Sequence, residues 1–259
     1  MVLVVVIIVL GMLGGLLSGL LGIGGGIIMV PLLLYVPPWF GCEPLSMKTV
    51  AGLTIVQGLA SCLVGVWVHN KVDYVSFPLT IWMGSIIFIT ALVGGFGSQW
   101  VPESFLLIIF AGLAAVAGGL IFMGGRKENE NPDIAKFTFS RFRAVQVAGS
   151  VGLLGGLVGQ GGSFILIPLM TAYMRVPTRI AIGSNLAVVL LSSLAAFLGK
   201  AYGGQIDWNL AWLVVGAAIP AARVGAIFSH DVPVKRLRFG LGILIVIAAI
   251  RIGFTVAEL

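Results

Sequence analysis

Charge is scarce in this 259-residue chain: Asp, Glu, Lys and Arg make up only 9% of it, against about 25% in soluble domains. So thin a polar inventory cannot cover a water-facing globular surface. Histidine is scarcer still, and His69 and His230 stand at the ends of apolar runs without companion ligands, so no metal site is expected. The two cysteines, Cys42 and Cys62, form neither a CxxC pair nor a disulfide framework and read as small packing residues. No Ser/His/Asp constellation and no paired carboxylates within apolar runs are present. Enzyme chemistry has no handle here, and no cofactor is expected.

Apolar residues fill the chain instead, at 59% with a mean hydropathy of +1.14, which identifies an integral membrane protein. Runs of about 20 apolar residues between short polar loops indicate α-helical spans, whereas a β-barrel would show alternating segments of about ten. The formal charge of +6 comes from Lys and Arg scattered over short loops, a pattern that sets membrane orientation and does not mark a nucleic-acid partner. The start, MVLVVVIIVLG, has neither a basic region nor a small-residue cleavage site and is read as a retained span.

Glycine organises the sequence. Residues 11–34 read GMLGGLLSGLLGIGGGIIMVPLLL, and residues 149–170 read GSVGLLGGLVGQGGSFILIPLM. A shift of 137 residues superposes Gly15 on Gly152, Gly19 on Gly156, Gly22 on Gly159, Gly24 on Gly161, Gly25 on Gly162 and Pro31 on Pro168. Each glycine costs roughly 0.5–1 kcal/mol relative to alanine inside a helix, so clusters this dense predict breaks in the two segments. The first apolar region, ending near Pro37-Pro38, is too long for one crossing and short for two, as a hairpin-like pair would be. Spans follow near 50–68, 77–98 and 104–124, and the second half repeats the order with a broken region near 145–174 and spans near 181–199, 208–228 and 237–256. Shifts of 131 to 134 also pair Lys48 with Arg179, Gly52 with Gly183, Asp73 with Asp207 and Val101-Pro102 with Val232-Pro233. The chain therefore reads as a first membrane repeat over 1–125, a cytoplasmic linker over 126–144 and a second membrane repeat over 145–259.

Charge placement selects the orientation of the halves. If each broken region returns to its own side, the halves are inverted and most Lys and Arg, including Lys71, Arg126, Arg143, Arg175, Arg179 and Lys235, fall inside. Lys48, Lys200 and Arg251 remain outside, with both termini. Parallel halves would strand Lys235, Arg236 and Arg238 outside.

The cluster Gly22–Gly26 lacks the Gly-Lys-Ser/Thr and the strand–turn–helix context of a nucleotide-binding loop. Gly15, Gly19, Gly152 and Gly156 have the small-xxx-small spacing of helix packing. The denser clusters, Gly22, Gly24, Gly25 and Gly26 with Gly159, Gly161 and Gly162, point to unwound backbone, which a membrane tolerates where it is buried in protein or lines a watered cavity. Exposed N–H groups at a helix start there attract anions. Polar side chains within the spans join them as candidates: Thr54 and Gln57 on one helix face, Ser184 and Asn185 at the repeat-equivalent place, and Gln160 and Ser163 at the second cluster. Interhelical hydrogen bonding is their alternative role. Lys48 and Arg179, before the next spans, and Arg223, deep in the run AAIPAARVGAIF, are candidate anion-attracting charges; topology and snorkelling toward the inner surface are their alternatives.

The segments SGLLGIGGGIIMVPLL at 18–33 and GGLVGQGGSFILIPLM at 155–170, with the starts Gly52–Thr54 and Gly183–Asn185, resemble the TauE/SafE sulfite exporter family over nearly the whole chain. The second cluster reads GQGGS where the first reads GIGGG, so the two half-sites differ chemically. The resemblance implies a transporter of bacterial or archaeal inner membranes for sulfite, organosulfonates or related small sulfur oxyanions, with no nucleotide-hydrolysing domain of its own. The expected fold is all-α, with two inverted repeats, each a glycine-broken helical hairpin plus three transmembrane helices. An anion channel of the same fold and a non-transporting membrane scaffold are the alternatives. The bilayer and the anion are the expected partners, and the sequence permits a homo-oligomer without specifying one.

Overall fold

The computed structural model describes residues 1–21, 26–68, 75–123, 137–160 and 162–228. Glycines 22, 24, 25 and 161, the linker stretch 126–136 and the span read near 237–256 lie outside the described residues. Every regular element among them is helical: α1 (Val2–Leu21), α2 (Gly26–Trp39), α3 (Met47–Val68), α4 (Phe77–Gly97), α5 (Glu103–Met123), α6 (Arg141–Val158), α7 (Ser163–Ala172), α8 (Thr178–Tyr202) and α9 (Trp208–Phe228). A single 3-10 turn at Ser98–Trp100 follows α4. Six of the helices are long and apolar enough to cross a membrane, and α2 and α7 are shorter apolar helices. At 1.5 Å per residue the ten-residue α7 is about 15 Å long, half of a ~30 Å hydrocarbon core.

Both broken regions fold back. Gly14 on α1 faces the Met29 sulfur on α2, a meeting that a continuous rod would prevent by placing these residues about 20 Å apart. At the mouth of the second hairpin, the Tyr173 hydroxyl donates to Gln146 Oε1 at 2.8 Å and Arg143 donates to the Tyr173 carbonyl at 3.4 Å, so α7 ends where α6 began. Ser140 caps α6 by accepting from the Arg143 amide at 3.5 Å. The first hairpin ends where expected, at Pro37-Pro38 and Trp39, and the carbonyls of both prolines accept from Phe40, Gly41 and Cys42. Proline lacks a donor but keeps its carbonyl, so a pair at the last turn caps a helix and need not precede its end.

The two halves interlock through small residues. Gly11, Gly15 and Gly19 of α1 face Val214, Ala218 and Ala222 of α9 in step, so these helices run parallel. Gly152 and Gly156 of α6 meet Ile87 and Ala91 of α4 in the same manner. The reverse contacts also correspond: Gly225 faces the Leu16 carbonyl, and Gly94 faces the Leu153 carbonyl. Each hairpin thus packs on a spanning helix of the other half, with backbones brought close by glycine as lipid-embedded packing favours.

Contacts along the central helices fix their directions. The Ser76 amide donates to Ser184 Oγ at 3.0 Å, Gly84 faces Leu191 and Gly199 faces the Leu92 carbonyl, so α4 and α8 run the same way. Gly52 faces the Gln205 carbonyl, Ile55 clusters with Ala195 and Ala196, and Cys62 is hydrogen-bonded to Ser193, so α3 and α8 run oppositely. One end of the bundle collects Met47, Lys48, Gln99 and Glu103, with the Met47 amide donating to Glu103 Oε2 at 3.3 Å. The other collects Arg141, stacked 5.3 Å from the Trp82 ring, and Arg143, 5.7 Å from the Tyr173 ring.

Candidate functional site

The two breaks meet inside the bundle. Gln160, in the second break, donates from Nε2 to the Gly26 carbonyl at the start of α2, 2.9 Å away, and its side chain fills the space a Cβ on Gly26 would enter. Gly159 ends α6 at φ 79°, and Gly162 precedes α7 at φ 70°, both in the left-handed region that glycine adopts without steric cost. Gly159 also lies against the Ala51 backbone of α3, where any side chain would collide. The starts of α2 and α7 are therefore buried and adjacent. At α7 the Ser163 and Ile165 amides are already taken, donating to the Gln160 and Gly162 carbonyls at 3.3 Å each.

Helix α3 serves this junction from one side. Thr54 Oγ1 lies 2.9 Å from the Val50 carbonyl of its own helix and 3.1 Å from the Gly159 carbonyl across the break. Gln57, halfway along α3 and fully buried, lies against Gly14 of α1. On α8, Ser184 and Asn185 are equally buried. Ser184 is engaged by the Ser76 amide. Asn185 is not: both its Nδ2 and Oδ1 lack a partner, as do both carboxamide atoms of Gln57, Gln160 Oε1 and Ser163 Oγ.

Buried polar atoms are paired in the great majority of cases, and each one left unmade costs about 1–3 kcal/mol. Four of the six side-chain candidates keep unused hydrogen-bonding capacity, while Thr54 and Ser184 are tied to the framework. Ser61, one helical turn beyond Gln57 on the same face, adds a further buried hydroxyl without a partner. Thr80 Oγ1, in the first turn of α4, is also unpartnered.

Two of the candidate charges, Lys48 and Arg223, stand elsewhere. Lys48 donates to the Gln99 carbonyl at 2.8 Å at one end of the bundle. Arg223 lies on an exposed face of α9, which fits snorkelling and not a place in the buried junction. The Arg179 side chain is outside the described residues. Lys200, read from sequence as a charge outside the span, is instead wholly buried near the end of α8. Its amine donates to Ser98 Oγ at 2.7 Å, the Leu157 carbonyl at 3.2 Å and Gln205 Oε1 at 3.3 Å, which uses all three donors of an ammonium on neutral acceptors. Leu157 lies two residues before Gly159, so Lys200 anchors the helix that leads into the second break.

A family model described as sulfite exporter TauE/SafE matches residues 7–252. The chain belongs to this family. A probable membrane transporter protein of Bacillus subtilis, YunE, is 24% identical, with 90% of this chain and 91% of the relative covered. A probable membrane transporter protein of Methanocaldococcus jannaschii, MJ0441, is 23% identical over 91% of this chain and 90% of its own. A probable membrane transporter protein of Xylella fastidiosa is 27% identical over 93% and 91%. No solved structure matches the chain significantly. With six membrane-length apolar helices among the described residues, this TauE/SafE chain is a multi-pass membrane protein of a transporter family, not of an enzyme family.

Sequence reasoning missed Ser61 and Lys200. Ser61 carries a faint signal, its four-residue spacing from Gln57. Lys200 carries none, because a lysine at the end of an apolar run reads the same whether its amine turns outward to water or back toward Leu157.

Proposed function

We propose that this TauE/SafE chain is a secondary transporter that exports sulfite or a related small sulfur-containing anion, such as an organosulfonate, through a site at the junction of its two glycine breaks. One observation carries the reading: Gln57, Gln160, Ser163 and Asn185, from both halves, are buried with hydrogen-bonding atoms that no protein group uses, Gln160 and Ser163 at the second break and Gln57 against Gly14 of the first hairpin. The start of α2, facing Gln160, adds a helix N-terminus of the kind that attracts oxyanions. Weak neutral donors suit a carrier, since capture must be followed by release. The opposed directions of α3 and α8 and the crossed packing of α1 on α9 and α6 on α4 support two inverted repeats around that site. An anion leaving a cell is driven outward by about 2.3 kcal/mol per charge per 100 mV, so export needs no carboxylate relay.

The test is uptake of labelled sulfite, thiosulfate, sulfate and short sulfonates into proteoliposomes. Saturating flux of one or more sulfur oxyanions is expected. Non-saturating, gradient-dissipating current would assign a channel to the fold, and no flux of any of them would leave a scaffold.

A further inference from the structure

The atoms left over at the junction bear on which oxyanion fits, granted the oxyanion site proposed above. Donors alone would suit a bare anion, and Gln57 Nε2, Asn185 Nδ2 and Ser163 Oγ supply them. Three carboxamide oxygens are likewise buried without partners: Gln57 Oε1, Gln160 Oε1 and Asn185 Oδ1. The Gln160 orientation is set by its nitrogen, which donates to Gly26. For Gln57 and Asn185 both ends are unpartnered, so exchanging oxygen for nitrogen leaves the same inventory. A carboxamide oxygen can only accept, and the oxygens of a fully ionised anion can only accept too. Such a ligand satisfies half of what the protein presents and sets like partial charges against one another.

Charge leads the same way. Within residues 22–26 and 159–163 there is no cation. Among the described side chains, the Lys48 amine is on Gln99, the Lys200 amine is on Ser98, Leu157 and Gln205, and Arg223 is on an exposed face; the Arg179 side chain lies outside them. The cost of desolvating an ion grows with the square of its charge, whereas its attraction to neutral dipoles grows only in proportion, so a site of neutral dipoles disfavours the second charge. We propose that the junction takes a singly charged oxyanion that itself donates a hydrogen bond, such as hydrogensulfite or a sulfonate bearing a hydroxyl, in preference to dianions and to sulfonates without a donor. A proton crossing with the substrate then rides on the substrate's own oxygen.

The experiment is calorimetric titration of the purified full chain with 2-hydroxyethanesulfonate, ethanesulfonate, sulfate and sulfite. The hydroxylated sulfonate should bind about tenfold tighter than ethanesulfonate, one neutral hydrogen bond's worth, with sulfate the weakest. Sulfite affinity should rise as pH falls in proportion to the hydrogensulfite fraction, while ethanesulfonate, which takes up no proton there, reports any titration of Lys48, Cys62, Lys200 or Tyr35. In Gln57→Leu and Asn185→Leu the advantage of the hydroxyl should shrink. Equal affinity for the two sulfonates, or tightest binding of sulfate, overturns the inference and leaves the oxyanion site standing. Absence of binding by all four overturns the site as well.

Discussion

Thr54 and Gln57 stand three residues apart on α3, and the protein uses them in opposite ways. Thr54 Oγ1 serves the Val50 and Gly159 carbonyls, whereas Gln57 is fully buried with neither carboxamide atom paired. Removing a hydrogen bond costs stability; removing an unpartnered polar group from a buried site returns its desolvation penalty. Thr54→Val should therefore lower stability by about 1 kcal/mol, while Gln57→Leu and Asn185→Leu should leave it unchanged or raise it by up to about 1–2 kcal/mol. Thermal unfolding of the purified variants, with and without a bound sulfur anion, reads both effects. Under the proposed site the Leu variants also lose the stabilisation that ligand confers, and a Gln57→Leu protein that unfolds well below the parent would show that Gln57 is a framework residue. At this scale the sequence reveals which polar residues interrupt an apolar run, because that is composition. It does not reveal which carbonyl or amide lies opposite, because Gly159 meets Thr54 only through tertiary packing. For the same reason Ser184, equivalent by repeat to a leucine, turned out to hold the Ser76 amide.

Between helices, the deciding feature is how closely two backbones approach. A Cβ on Gly15 would sit 2.7 Å from the Ala218 Cα, and one on Gly156 would sit 3.0 Å from the Ala91 Cα, both against backbone that cannot swing aside. Gly112 on α5 has nothing within 4 Å of that position. Gly15→Ala and Gly156→Ala should thus each destabilise by about 1–3 kcal/mol, the usual range for overpacking, and Gly112→Ala should be neutral or stabilising by up to about 1 kcal/mol through helix propensity. Melting temperatures of the three variants check this; equal shifts would mean that the crossings relax freely. Much of this layer was legible beforehand. The glycine clusters marked the breaks, the paired prolines Pro31 and Pro168 fell at the sixth residue of α2 and α7, and five spans lie within a few residues of the expected bounds. The sequence did not disclose that α1 leans on α9 and α6 on α4, because a repeat reveals equivalent positions, not which half each helix packs against. The end at Pro37-Pro38 was legible too, since α2 stops at Trp39, one residue on.

At the scale of the whole molecule, the ends of the bundle differ in charge and the hairpins open toward different ends. The α6–α7 hairpin opens where Arg143 meets Tyr173, beside Arg141 on Trp82, and the loop after α2 leads within seven residues to Met47 at the opposite end. Cytoplasmic loops carry the excess of Lys and Arg, which assigns the Arg141 and Arg143 end to the inside. A reporter at each end tests this without disturbing the core. Cys42 is partly exposed in the loop after α2, Cys62 is buried in α3, and Ser140 is exposed just before α6, so the native thiol and Ser140→Cys in a Cys42→Ala background form a matched pair. In intact cells a membrane-impermeant maleimide should label Cys42 and not the cysteine at 140, and in inside-out vesicles the pattern should reverse. Such a reversal is what an odd number of crossings between the two positions requires: α3, α4 and α5 lie between them, and re-entrant hairpins add no net crossing. Labelling of both from the same side would require one more crossing or one fewer, and inverted repeats would then give way to parallel ones, with the breaks no longer entering from opposite faces.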